Sequence, residues 1–349
     1  MQNTPQTLII KNGLPPDDTY SDEFKLDQST SHRLNKLKVP HLKKILKLAQ
    51  PVRLTKFSHE TLNTPAELAT AKAMDWPLLD GQLPFAALKA AQLGLTSPSN
   101  MPGGSWAFIT LCSWHVQHGQ VTFSGDAQGL GVSRAQAEQA LQDMRPYFEE
   151  DSIHIISHPQ LNPGQWLAYS PHFNGLPCAS VERITGRVID DYLIGTGKSA
   201  DHISARPLRR LQNEMQMLLY QHAINEQSAT PINSFWISDC GNFGASQSDL
   251  QSTLDDHYSI QVLDITNQEI QLLHPQDPNW LNAWAAEWEY IDETFLNTYS
   301  HAFLNAKKGT EITLCNTTTS IALTPLKSSW KRYIKSKLSV SKLTRLLGF

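Results

Sequence analysis

The sequence predicts an α/β fold, a mostly parallel sheet flanked by helices, with a small α+β insertion. Three observations predict it. Short apolar runs of period 2 alternate along the chain with stretches of helical periodicity, the pattern that lays helices over parallel strands. The segment 103–170 breaks that alternation, running strand, hairpin, helix and further strands after the Pro102-Gly103-Gly104 punctuation. Composition is ordinary for a packed protein, 40% hydrophobic and 18% charged over 349 residues with 20 Pro and 18 Gly, which excludes wholly disordered, collagenous and coiled-coil classes. The expected division is an α/β core over 1–102 and 171–324, an insertion over 103–170 and a basic tail over 325–349.

Strands are expected at Thr7–Lys11, Val52–Phe57, Trp106–Trp114, Val121–Phe123, Ile153–Ser157, Ser234–Ser238, Ile260–Asp264 and Glu311–Leu314. Between them, Pro40 as a first helical residue opens a helix to Leu48, and Thr64 as a cap with Pro65 behind it opens one through Met74. Ser133 with Gln136 three residues on forms a capping box for Arg134–Phe148. The stripe Leu208, Leu211, Met215, Leu218, Leu219 predicts a helix over Pro207–His222, and a last helix is expected over Trp280–Phe303.

The formal net charge of −4 hides an asymmetry: residues 325–349 carry seven Lys or Arg and no acid, which leaves −11 on the rest. An acidic body argues against nucleic acid as a partner, because phosphate contacts need a contiguous basic face. In the tail, apolar residues from Trp330 to Leu347 fall near helical spacing among the cations. That pattern suits weak membrane or protein contact through 326–349, or a frayed helix laid on its own body. The N-terminus lacks a basic region followed by an apolar stretch, and no apolar run approaches 18 residues, so a cytoplasmic location is expected. Cys112, Cys178, Cys240 and Cys315 lie more than sixty residues apart, which fits neither a compact disulfide framework nor a metal knuckle and suggests a reducing compartment.

Several residue groups invite a chemical reading. Gly195-Thr196-Gly197-Lys198-Ser199 resembles a phosphate loop until the required earlier glycine is sought and Tyr192 is found, so a surface turn is expected. His115, His118, His154, His158 and His172 could converge on zinc or decorate a polar surface. Arg183, Arg187, Arg206, Arg209 and Arg210 put five guanidinium forks within thirty residues, an anion pocket or a solvated helix face paired with acids such as Glu214. Asp239-Cys240-Gly241 closes a buried-looking strand, a position where open α/β sheets place ligand groups, and Cys240 reads as a buried thiol.

Leu218-Leu219-Tyr220-Gln221-His222-Ala223-Ile224-Asn225, followed by the run from Pro231 to Gly241, resembles the LLxxHPVN segment and the AN-x-IWLWGQG strand and turn of the archaeal-type cofactor-independent phosphoglycerate mutases, members of the alkaline phosphatase superfamily. Pro171-His172 is similar to that family's PHD element, Trp106–Gly131 with the Ser133–Phe148 helix to the start of its insertion domain, and Val39–Ile45 to its TPNLDxL segment. The ordered matches run over about residues 5–245, and a proteobacterial group labelled predicted phosphoglycerate mutase and Rpf-type regulatory protein is more similar still.

The resemblance implies an alkaline-phosphatase-like core holding two divalent metals, Mn or Zn, a serine that accepts the phosphoryl group, and an insertion domain that grips the sugar acid. It also implies ligand-binding roles for Arg183, Arg187, His172, Asn225, Asn233 and Asp239. Three positions depart from the pattern. Asn12 stands where the family has a metal-bound Asp, Ala66 where it has the serine, and Cys315-Asn316 where a strand ends in Asp-His. Thr64 is the remaining hydroxyl near the nucleophile position, and Asp17, Asp264 and Asp255-Asp256-His257 are the remaining acids and imidazole. The expectation is a non-catalytic, regulatory or partner-binding bacterial protein without a cofactor, binding a phosphorylated or carboxylated small molecule. The alternatives are a divergent metal-dependent mutase or phosphohydrolase using Thr64, Asp17 and Asp264 with Mn or Zn, and a membrane-surface adaptor.

Overall fold

A computed structural model of the chain describes residues 7–15, 37–226, 229–243, 260–266, 278–305 and 310–326. These residues form ten strands and eight helices. In chain order they are β1 (Thr7–Lys11), α1 (Pro40–Leu48), β2 (Ala49–Lys56), α2 (Pro65–Ala73), α3 (Phe85–Gln92), β3 (Ser105–Gln117), β4 (Gln120–Asp126), α4 (Arg134–Glu150), β5 (His154–Ile156), β6 (Gln165–Ser170), α5 (Val181–Ile184), α6 (Ala205–Tyr220), β7 (Ser234–Gly241), β8 (Ile260–Asp264), α7 (Pro278–Ile291), α8 (Asn297–Asn305), β9 (Glu311–Cys315) and β10 (Thr319–Pro325). The described residues fall into two compact units, one from within 1–59, 65–75 and 255–349, the other from within 60–64 and 76–254. No helix among them is long and apolar enough to cross a membrane.

The first unit is built on a sheet of order β2-β10-β9-β1-β8. β1 runs parallel to β8 and β9, so that Leu8 faces Gln261 on one side and Ile312 on the other. Its three central residues, Leu8, Ile9 and Ile10, are all fully buried because both sheet faces are covered. Leu8 and Ile10 join Leu42 and Ile45 of α1, Trp284 and Trp288 of α7 and Phe303 of α8 in one core, while Ile9 turns to the other face with Ala66 of α2.

The sheet expected to be mostly parallel is mixed, because β10 is antiparallel to both β9 and β2. The cause is local. The Asn316 carboxamide oxygen accepts from Thr318 N at 3.1 Å and Thr319 N at 2.7 Å, folding the chain straight back after β9 where a parallel neighbour would need a long crossover.

The single helix expected over Trp280–Phe303 is interrupted, since Asp292–Leu296 form a π-helical segment between α7 and α8. That bulge serves α1, whose N-cap residue Val39 makes no side-chain cap bond. The Asp292 carboxylate, 1% exposed, instead accepts from His41 N at 3.1 Å and Leu42 N at 2.6 Å, two of the amides a helix start leaves without intrahelical partners.

The second unit has an all-antiparallel sheet centred on β3, which pairs with β4, β6 and β7 while β6 also pairs with β5. The β3–β4 hairpin turns through His118 and Gly119, with φ of 52° and 81°, as a tight turn of matching twist requires. Alternation along β3 sends Ala107, Ile109 and Leu111 into a core with α4 and α6, and Trp106 and Phe108 to the other side with Ala86, Ala87 and Ala90 of α3. The Ser133–Gln136 capping box opens α4 as expected.

This unit is larger than the 103–170 insertion that the sequence suggests. Residues 171–243 and α3 lie in it instead of the core, because β7 pairs with Trp106–Cys112 of β3 and α6 packs against β7.

Asp292→Ala removes both acceptors at the start of α1 and is expected to lower unfolding free energy by about 2 kcal/mol, with Asp292→Asn losing less because one oxygen remains. Urea melts of the three proteins read this directly. Equal stability of the alanine variant and the parent would show that the contact contributes nothing.

Candidate functional site

The C-terminal ends of parallel strands are where open α/β sheets gather ligand groups. In the first unit those ends bring together Asn12 after β1, Asp264 at the end of β8 and Asn316 after β9. The parallel register sets Lys11 opposite Asp264. Asp264 Oδ1 accepts from Asn12 Nδ2 at 3.0 Å, Thr266 N at 2.9 Å and Thr266 Oγ1 at 2.8 Å. Its Oδ2 lies 3.4 Å from Lys11 Nζ. Asn12 Nδ2 also reaches Thr266 Oγ1 at 3.1 Å, and the Asn12 carbonyl accepts from Trp284 Nε1 at 2.7 Å. With φ of 53°, Asn12 occupies the left-handed region, which asparagine tolerates better than most residues.

Asn316 turns inward as well, its amide donating to Pro15 O at 2.7 Å while its oxygen holds the β9–β10 reversal. Ala66 and Cys315 lie with Ile9 in a small buried apolar cluster, and Thr64 is buried. Asp17 and Asp255-Asp256-His257 lie outside the described residues.

A pair of hard divalent cations needs several anionic oxygens or imidazoles converging on each ion. Among the described residues this strand end offers one carboxylate, with an ammonium on one oxygen and three donors on the other, and two amides whose N–H groups point at acceptors. The described residues do not fit the metal pair. Among the described residues no three His, Cys, Asp or Glu side chains group as ligands.

The ligand-binding residues suggested by the resemblance fall in the second unit and divide into two kinds. Asn225 donates to Leu219 O and Ile232 O at 2.9 and 2.8 Å and accepts from Ile232 N at 2.8 Å, closing the loop before β7. Asn233 accepts from Trp114 N at 3.1 Å and donates to Trp114 O at 2.6 Å, adding a side-chain rung to the β3–β7 ladder. Both amides hold backbone. The His172 ring meets Ser204 Oγ at 3.1 Å through Nδ1.

Arg183 and Asp239 carry less settled charge, and Arg187 stands beside the first of them. Arg183 is 1% exposed and donates from Nε to Thr61 O at 2.8 Å. Burial and the neighbouring Arg187 cation lower its basicity, and Tyr192 partly restores it. Asp239 lies at a bulge in β7, where Gly241 faces Trp106 but Ser238 already faces Phe108, and its φ is 57°. Its carboxylate accepts from Ser238 Oγ at 2.6 Å, yet burial, with the Glu182 charge beside it, pushes the carboxyl up to about 6.

The glycine-rich segment is a turn. Gly197 packs so closely on Asp191 O that a Cβ would sit 2.2 Å from it, and Lys198 forms an ion pair with Asp80. Asp80 in turn accepts from Leu62 N at 2.9 Å and Asn63 N at 3.2 Å. Arg210 pairs with Asp151 and, at 3.7 Å, with Glu214, as a solvated helix face does. His115 meets Ser124 Oγ, and His222 meets Asp143. Asp80, Thr266 and Trp284 carry no mark in the sequence, since their partners stand far away along the chain.

No protein-family model and no curated protein matches the chain. Among solved structures, the cofactor-independent phosphoglycerate mutase from Thermoplasma acidophilum DSM 1728 is similar at 12% identity and a TM-score of 0.33, over 92% of this chain and 90% of that one.

A carboxyl raised in the folded protein contributes stability that is complete below its unfolded value and is lost as pH rises through the folded one. For Asp239 that window runs from 3.8 to about 6. Asp239→Asn is expected to remove this fall, on the order of 1–3 kcal/mol, from the stability profile between pH 4 and pH 6. Chemical denaturation at each pH tests it, and parallel profiles for variant and parent would refute the assignment.

Proposed function

We propose that the chain is a degenerate phosphoglycerate-mutase-like protein that transfers no phosphate and serves as a cytoplasmic regulatory or partner-binding protein for a phosphorylated or carboxylated small molecule. The observation that carries this reading is the closed network at the strand ends. Asp264 is matched by Lys11, Asn12 and Thr266, so a cation would have to displace an ammonium and three hydrogen bonds to use it. Phosphoryl transfer demands positive charge around the transferring oxygens and an activated hydroxyl in line. Ala66, which the resemblance aligns with the family's serine, supplies a methyl group inside an apolar cluster.

Support for the anionic ligand comes from the second unit. The Arg187 cation disfavours the charge on the buried Arg183, and an anion placed against Arg187 relieves that repulsion. Arg187 is the more accessible of the two.

With saturating Mn, purified protein is expected to interconvert 3- and 2-phosphoglycerate no faster than buffer, and turnover that tracks the protein through purification would overturn the non-catalytic reading. Calorimetry with 3-phosphoglycerate as the probe is expected to show binding weakened tenfold or more by Arg187→Ala. Equal affinity in both proteins would remove the arginine pair from the proposal.

A further inference from the structure

Two cysteines separated by 62 residues, Cys178 and Cys240, meet in the second unit with their sulfurs 3.7 Å apart. Both are free and buried. Their backbones are held from several directions. Cys178 N donates to Gly81 O at 2.9 Å, Ser180 N donates to Leu62 O at 3.0 Å, and the next residue, Ala179, accepts from Trp236 Nε1 at 2.7 Å. Trp236 belongs to β7, the strand that carries Cys240. The segment before α5 is therefore tied by an indole to the strand it faces. At Gly81 a Cβ would stand 2.9 Å from Cys178 N, so nothing larger fits behind the segment. On the other side, the bulge at Asp239 sets the direction of Cys240. Cys112 is buried with Trp114, Phe123 and Trp236, and Cys315 lies in the first unit.

We propose that Cys178 and Cys240 form a dithiol site that closes to an intramolecular disulfide on exchange with a small disulfide of the glutathione class. In the first step one protein thiolate attacks a sulfur of the small disulfide, giving a mixed disulfide and releasing one small thiol. The second protein thiolate then attacks the protein-side sulfur of that mixed disulfide and releases the other small thiol. Two protein S–H bonds are lost, one S–S bond forms, and the small disulfide is reduced to two thiols. A disulfide spans about 2.05 Å between sulfurs, so the pair has to close by less than its present separation. Burial, the neighbouring thiol and the Asp239 charge all hold the Cys240 thiol above its ordinary range, which keeps thiolate scarce and makes the exchange slow. Once closed, the bond locks the segment leading into α5, with Arg183, to the end of β7.

The test is to incubate the full chain, natively folded, with oxidised glutathione, block remaining thiols with iodoacetamide after unfolding, and map the digest. The expected product is a peptide linking Cys178 to Cys240, with Cys112 and Cys315 alkylated, and a melting temperature several degrees higher that returns to the starting value after dithiothreitol. Cys178→Ser and Cys240→Ser are each expected to abolish the link, although mapping of the unmutated protein decides the question even where a variant fails to fold. Recovery of Cys178 and Cys240 as alkylated thiols or as stable mixed disulfides, or a link to Cys112 or Cys315, overturns the proposal.

Discussion

Strand β1 has no solvent-facing side, and the first unit is arranged around that constraint. Leu8, Ile9 and Ile10 are three adjacent buried residues, each contributing roughly 1.5–3 kcal/mol by leaving water. A strand of this kind has to be covered by helices on both faces and paired on both edges, which α1, α2, α7, α8, β8 and β9 accomplish. Burial of alternate residues on opposite faces also fixes the register, because a slip of one residue would exchange the two faces. Register in turn decides where the chain emerges. Lys11 leaves the ladder opposite Asp264, and Asn12 follows within reach of Asp264 and Thr266. The candidate site is a consequence of how one short strand is packed.

What such a strand end can do depends on whether its groups need something from outside. Two carboxylates in this position would repel, each raising the other's pKa unless a cation stood between them. An asparagine facing an aspartate reverses the sign of the contact, because the amide N–H donates to the carboxylate oxygen. Lys11 supplies the remaining charge. Trp284 completes the arrangement by donating to the Asn12 carbonyl, so the left-handed turn at Asn12 is stabilised by the same helix that covers Leu8 and Ile10. Asn316 follows the same logic at the neighbouring strand, where its side chain bonds three backbone groups. Among the described residues the donors and acceptors of this cluster are matched by one another.

The sequence discloses those parts of this fold whose cues are local. Thr7–Lys11, Pro40–Leu48 and Ile260–Asp264 are element bounds in both the sequence reading and the structure, since an apolar run or a first-turn proline marks each of them. Elements escape where packing erases the period. Gln165–Ser170 is buried on both faces and alternates in nothing, Thr319–Pro325 follows a reversal made by one asparagine side chain, and the alanines of Phe85–Gln92 offer little contrast between faces. The same limit governs the site. Asn12, Asp264 and Asn316 stand out by their place at strand ends, but that their side chains bond to one another or to backbone is a property of long-range pairing. Asn225 and Asn233 look like ligand groups in a motif and prove to be loop and ladder groups, because a carboxamide serves a backbone rung as readily as a substrate.

Asn12, Asp292 and Asp239 each sit where the backbone departs from regular geometry, and comparing them separates architecture from chemistry. Asn12 in its left-handed turn and Asp292 in its π segment both serve the fold, the first by bonding Asp264, the second by capping α1. Local irregularity in those places answers a demand elsewhere in the same unit. Asp239 differs. Its bulge and positive φ hold a carboxyl that burial and the Glu182 charge push up, with the adjacent Ser238 hydroxyl as a counterweight that does not win. A group held against its preferred charge state is one to which an incoming proton or hydrogen-bonding ligand has the most to add. By that comparison, the described groups at the strand end of the first unit are matched by one another, while the Asp239 carboxyl at the end of β7 is pushed away from its ordinary value.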